Sequence, residues 1–274
     1  MNAPTVGIEW LDDREFRVDD VRFTCISVFE RVNPTDPDHF VVIKPRAAVE
    51  RYADLLGGAA VGTVLELGIH RGGSTVFFER MLRPARMIAL DLMPGPCLPL
   101  EEFVDRRGMR DTYSIHYGVD QADVEALNRI VTEPGGAATL DLVIDDASHR
   151  YDATRVSFTA LFPRLRPGRH YIIEDWAWGQ SETQFHVPED FRRTPALGVL
   201  LFECIAVNAA RPDVIAEVTI GPGFATVTRG PAALDPAAFA IEDYYLGRSG
   251  ELVERLLAAW PPADSGSAPA PPAP

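Results

Sequence analysis

Residues 63–74 read Thr-Val-Leu-Glu-Leu-Gly-Ile-His-Arg-Gly-Gly-Ser. Thr63 to Leu67 is a short apolar run with β-branched residues, the composition of a buried parallel strand. Gly68, Gly72 and Gly73 remove side chains where the chain must turn tightly or bring its backbone close to a ligand. From Ser74 onward the apolar residues Val76, Phe77, Met81 and Leu82 fall at helical spacing. Strand, glycine-rich turn and helix form the first unit of a nucleotide-binding α/β sheet. The spacing Glu-x-Gly-x-x-x-Gly-Gly-Ser is neither the dinucleotide Gly-x-Gly-x-x-Gly nor the phosphate-binding loop with its Lys-Ser/Thr.

Downstream of this unit, apolar runs alternate with helical patterns. Strands are predicted at Arg86–Leu90, Thr112–His116, Leu140–Ile144 and Tyr171–Ile173. Helices are predicted at Glu101–Arg107, Asp123–Val131 and Tyr151–Leu165, the last ended by Arg166-Pro-Gly168. Five strands alternating with helices imply an α/β fold with a doubly wound, mostly parallel sheet. A helix at Pro195–Ala209 and an antiparallel pair, Val214–Ile220 with Phe224–Thr228 around Gly221-Pro-Gly223, close the core. Ile241–Trp260 is read as helical in part.

Upstream lies an accessory region, residues 1–55. Its first 13 residues look flexible. Phe16, Val18, Val21 and Phe23 alternate around Asp19-Asp20, a hairpin signature. Phe40–Ile43 reads as a strand or a lining segment, and Ala47–Leu56 as a helix stopped by Gly57-Gly58. The core domain then spans 56–260, with a polar and aromatic loop over the site at about 176–194. Residues 261–274 are a Pro/Ala-rich tail expected to be disordered.

With 274 residues the chain can bury one good core. A net charge of −14 argues against a broad nucleic-acid surface, yet it is compatible with a small cationic ligand. Cys25, Cys97 and Cys204 are scattered and odd in number, which fits a reducing cytoplasm and no zinc cluster. Neither a signal peptide nor an apolar run of membrane-spanning length is seen. The hairpin near residues 16–23 offers an edge for homo-oligomerisation.

Several polar residues stand where the sheet should bind a ligand. Asp91 ends the second core strand, where an acid takes both ribose hydroxyls of a nucleotide. Asp120 or Gln121, after the third strand, is placed to read an exocyclic amine. Two acidic strand ends, Asp145-Asp146 and Glu174-Asp175, follow strands expected to lie side by side. Four converging carboxylates would raise one another's pKa values unless a cation joined them, and all-oxygen ligands favour Mg²⁺, Mn²⁺ or Ca²⁺ over zinc. The alternative is that these acids cap helices or pair with Arg150, Arg155 or Arg164. His149, three residues after Asp146, is positioned as a base for a hydroxyl made acidic by the metal. His70 and His186 are weaker candidates. Trp176, Trp178 and Phe185 suit either an apolar substrate wall or packing of the loop.

Leu65-Glu-Leu-Gly68…Gly72-Gly-Ser74, Asp145-Asp-Ala-Ser-His149 and Ile172-Ile-Glu-Asp-Trp176 together resemble the metal-dependent O-methyltransferases of macrolide-sugar tailoring, of the mycinamicin and tylosin type. The related cephalosporin-hydroxylase-like group shares the architecture. The resemblance covers roughly residues 55–230 and implies a Rossmann-like class I methyltransferase fold that binds S-adenosylmethionine (SAM). It implies Asp146, Glu174 and Asp175 as Mg²⁺ ligands and His149 as general base. Glu66, Gly68, Ser74, Asp91 and the Asp120–Gln121 turn would surround SAM, with Gly72 and Asp145 on the same cofactor side. Ala147 replaces the glycine more usual in the family, a change that leaves the ligands in place. The implied activity is Mg²⁺-dependent methylation of a hydroxyl on a small natural product, such as a sugar of a glycosylated metabolite. The alternatives are a same-fold metal enzyme of hydroxylase-like or hydrolytic type, or a non-catalytic SAM-binding module.

Overall fold

The computed structural model describes residues 7–34, 36–133, 139–178 and 194–258. The chain falls into two compact units, residues 1–147 and 148–274.

The first unit opens with β1 (Ile8–Trp10), β2 (Glu15–Val18), β3 (Val21–Cys25) and β4 (His39–Val42), in that order in one sheet. Strands β1, β2 and β3 are antiparallel, and β4 runs parallel to β3. Val18 faces Val21 across the expected Asp19-Asp20 turn, where Asp19 takes a left-handed φ of 59°. Aspartate tolerates that region better than most residues. Residues 8–10 correct the expectation of a flexible start. Trp10 packs on Phe16 at 4.9 Å between ring centroids, and the Arg46 guanidinium sits 4.2 Å over Trp10, which gives the short strand a reason to stay. Phe16, Val18, Val21 and Phe23 are fully buried. Phe16 and Phe23 meet Phe77 edge-on at 5.8 and 5.9 Å.

Helix α1 (Arg46–Leu56) leads to β5 (Thr63–Leu67), α2 (Gly73–Leu82), β6 (Arg86–Asp91), α3 (Leu98–Arg106), β7 (Tyr113–Tyr117), α4 (Val124–Thr132) and β8 (Leu140–Asp145). All eight match predicted elements within a few residues. Asp123 caps α4 by accepting from Ala126 N at 3.0 Å. Strands β8, β5, β6 and β7 lie in that order and pair in parallel. The strand order therefore reverses at β5, so the carboxyl ends of β5, β6 and β8 border the crevice where α/β sheets bind ligands. This is the expected α/β, Rossmann-like architecture.

The second unit holds α5 (Tyr151–Leu161), β9 (Leu165–Glu174), α6 (Gly198–Ala210), β10 (Ile215–Ile220), β11 (Phe224–Arg229) and α7 (Arg248–Ala258). Strand β11 pairs antiparallel with both β9 and β10, which confirms the C-terminal antiparallel pair. The helix expected to reach Leu165 stops at Leu161. Pro163 lacks an N–H for the helical ladder, and Phe162–Arg164 tighten into a 3₁₀ turn. Leu165 to His170, expected as helix end and loop, instead lengthen β9 to ten residues. A buried network secures α6. Glu203, with no exposed surface, accepts from Arg155 Nε at 3.0 Å and Tyr151 Oη at 3.1 Å. Most of the loop at Glu133–Ala138 (residues 134–138), most of the 176–194 loop, Phe185, His186 and the 261–274 tail lie outside the described residues.

Candidate active site

In the first unit the site begins at the turn from β5 into α2. Gly68 has φ +97°, and a Cβ there would lie 2.1 Å from the carbonyl oxygen of Asp146. At Gly73 a Cβ would lie 1.8 Å from the carbonyl oxygen of Val41. Both glycines are thus required by neighbouring backbone: one lets β8 run close past the turn, the other seats α2 on β4. Asp91 fastens the same turn. Its Oδ2 accepts from Ile69 N at 2.7 Å and His70 N at 2.8 Å, while Oδ1 accepts from Met93 N at 2.7 Å. A carboxylate offers about four acceptor sites, so holding the loop leaves capacity for a ligand hydroxyl. His70 is exposed, with φ 45°.

Glu66 sits in β5 with no exposed surface, and among the described residues no donor meets either carboxylate oxygen at good hydrogen-bond geometry, the Ser74 and Thr75 hydroxyls lying near. Burial pushes its pKa up to about 8. The Ser74 and Thr75 hydroxyls and the Lys44 ammonium pull the other way without cancelling the rise. Gln121 and Asp145 come together, both buried, with Nε2 donating to Oδ1 at 3.2 Å and Oδ2 at 3.4 Å. Asp120 stands apart, exposed, its Oδ1 accepting from Ala122 N at 2.8 Å as a turn cap. The sequence reading missed Lys44, whose Nζ lies 2.8 Å from Asp146 Oδ2. One signal pointed to it: Lys44 is the only lysine among the 26 Lys and Arg residues.

In the second unit His149 and Asp175 both adopt left-handed backbone, with φ 55° and 51°. Such conformations in non-glycine residues gather at functional sites. His149 Nε2 lies 3.8 Å from Asp175 Oδ2, an ion-pair distance rather than a hydrogen bond. The His149 ring packs 4.3 Å from that of Trp178. Asp175 N donates to Gly223 O at 2.7 Å, which ties the acidic strand end to the β10–β11 turn. Glu174 is buried at the end of β9, paired with Phe224. Trp176 Nε1 donates to Gly221 O at 3.1 Å, which anchors this ring to the β10–β11 turn. Arg150 pairs with Asp152, and Arg155 with Glu203 and Glu242. Both arginines are engaged with acids other than those at the two strand ends.

Residues 65–176 match a family model described as a methyltransferase domain. The chain is 35% identical over 135 residues to mycinamicin VI 2''-O-methyltransferase of Micromonospora griseorubida, covering 44% of this chain and 30% of the relative. It is 31% identical over 119 residues to a tetracenomycin-C 3'-O-methyltransferase of Streptomyces olivaceus, covering 41% and 27%. The chain thus spans less than a third of the length of these relatives. Among solved structures, the MycE methyltransferase in complex with Mg and SAH shares 28% identity over 67% of this chain and 49% of that one, at a TM-score of 0.47. Among the described residues no helix is long and apolar enough to cross a membrane.

Proposed function

We propose that the chain is a SAM-dependent O-methyltransferase acting on a hydroxyl of a small natural product, a sugar of a glycosylated metabolite, with Mg²⁺ as its metal. The observation that carries this reading is Glu66. A carboxyl with no exposed surface and, among the described residues, no well-formed hydrogen bond is costly, and an ammonium would offset the cost. The methionine part of SAM carries an ammonium, and Glu66 borders the glycine turn inside the stretch that matches the methyltransferase domain.

In this reading Asp91 would take the ribose, and Gln121 with Asp145 would line the adenine side, Asp120 capping the turn that carries Gln121. Gly68, Gly72 and Ser74 shape the turn against the methionine part. Asp146, Glu174 and Asp175 would hold the metal. Their hard carboxylate oxygens suit Mg²⁺, and the near approach of His149 to Asp175 puts a base beside one of them. When bound, SAM supplies an electrophilic methyl group, and Mg²⁺ supplies a Lewis acid that makes a hydroxyl easier to deprotonate. His149 would accept the hydroxyl proton, and the flanking Trp178 ring limits how the imidazole can turn.

Isothermal titration with S-adenosylhomocysteine (SAH), with and without Mg²⁺, tests the reading. Binding at micromolar strength, about −8 kcal/mol or better, is the expected result, and a screen of glycosylated hydroxyl acceptors should then return a product heavier by one CH₂. An absence of SAH binding in both conditions would sink the proposal.

A further inference from the structure

Apart from Lys44, every Lys or Arg position in the chain is an arginine. An ammonium differs from a guanidinium in being a compact point charge without a planar fork. That single ammonium is buried. Lys44 is 3% exposed, lies 2.8 Å from Asp146 Oδ2 and sits 5.9 Å from the centre of the Tyr52 ring. The contact spans 102 residues of sequence and joins the segment between β4 and α1 to the end of β8. Asp146 is fixed on its backbone side as well. Its N–H donates to Leu67 O at 2.9 Å, and its carbonyl lies against Gly68. A buried ion pair is poor evidence of added stability, because desolvation offsets the attraction. The pairing therefore asks for a reason beyond folding.

We propose that Lys44 is the resident countercharge of Asp146: it holds the carboxylate while no divalent cation is bound, and a divalent cation at Asp146 binds in competition with it. This rests on the proposed role of Asp146 as a metal ligand. A dication coordinated by that carboxylate would come within a few ångströms of the ammonium, and the two positive charges repel across a contact that is buried on the lysine side. Lys44 also lies near enough to Glu66 to favour its ionised form. The charge of the amine is matched at Asp146. The consequence is a metal affinity held below what the carboxylates alone would give.

The lone lysine makes the test direct. Full-length protein labelled with [ε-¹³C]lysine gives a single lysine side-chain signal, and titration with MgCl₂ should shift it saturably. In calorimetry, Lys44→Met should bind Mg²⁺ at least about tenfold more tightly than the parent chain. The signal comes from the unmutated protein, so this arm survives poor folding of the variant. Mg²⁺ binding by both chains, with an unmoved lysine signal or with equal or weaker affinity in Lys44→Met, overturns the countercharge role alone. Absence of Mg²⁺ binding by both chains overturns it together with the metal reading of Asp146, and SAH titration then shows whether the cofactor reading survives.

Discussion

At the scale of single residues, the chemistry is concentrated in groups whose surroundings differ from those of an ordinary surface side chain. Glu66 is the clearest. Its carboxyl titrates at about 8 in the fold against 4.5 for an unperturbed glutamate. Between those values the folded chain keeps a proton that the unfolded chain has lost. Stability therefore falls as pH rises through this window, by about 1.4 kcal/mol per pH unit, and levels off above the folded-state value. Urea unfolding across that range should show the slope in the parent protein and a much flatter profile in Glu66→Gln. Saturating SAH should also flatten it, because a neighbouring ammonium favours the ionised carboxyl. A parent profile already flat without ligand would contradict the unpaired state of Glu66. His149 makes a separate prediction. His149→Ala should leave SAH affinity unchanged while turnover drops at least about a hundredfold, and unchanged turnover would remove it as the base. His149 is singled out in the sequence by its distance from Asp146, and its part as base stays with the proposal. Lys44 is not singled out, because a motif search looks for acids and glycines and has no reason to connect a residue before α1 with the end of β8.

At the scale of elements, the sequence predicted most of the fold because hydrophobic period and turn chemistry agree there. Strands β5 to β8 and their helices lie where apolar runs and helical spacing put them. Two departures have local causes. Strand β1 is only three residues long, too short for a period to show, and is held by the Trp10–Phe16 contact and the Arg46 cation on the indole. Helix α5 ends early at Pro163, and β9 takes up the released residues, including the Pro-Gly pair that reads as a turn. The glycines of the first turn teach a related lesson. Their spacing is the signature of a ligand loop, yet at Gly68 and Gly73 the space is filled by the chain's own carbonyls. Gly73→Ala should therefore destabilise the protein by on the order of 3 kcal/mol, because a backbone carbonyl cannot yield as a side chain can. Gly95→Ala, where nothing lies within 4 Å of the new carbon, should be close to neutral. Thermal unfolding of the two variants checks the contrast. Equal midpoints would mean that the seat of α2 on β4 is looser than the geometry requires.

At the scale of the whole molecule, the charge of −14 acts on whatever diffuses toward the protein. Such a field does not choose a fold, but it raises the local concentration of cations and accelerates their association. The proposed cofactor and its product differ in this respect. SAM carries a sulfonium and an ammonium against one carboxylate and is a net cation, whereas SAH has lost the sulfonium charge and is neutral overall. The field should therefore favour arrival of the substrate form and be indifferent to the spent form. Stopped-flow association of SAM should slow severalfold as salt rises from about 0.01 M to about 0.5 M, while SAH changes little, because the screening length shrinks from about 30 Å to a few ångströms over that range. Equal salt dependence for the two would place the selectivity in close contacts such as Glu66. A strong effect confined to SAM would mean that the acidic composition, uninformative about fold, contributes to turnover by separating cofactor from product before either touches the site.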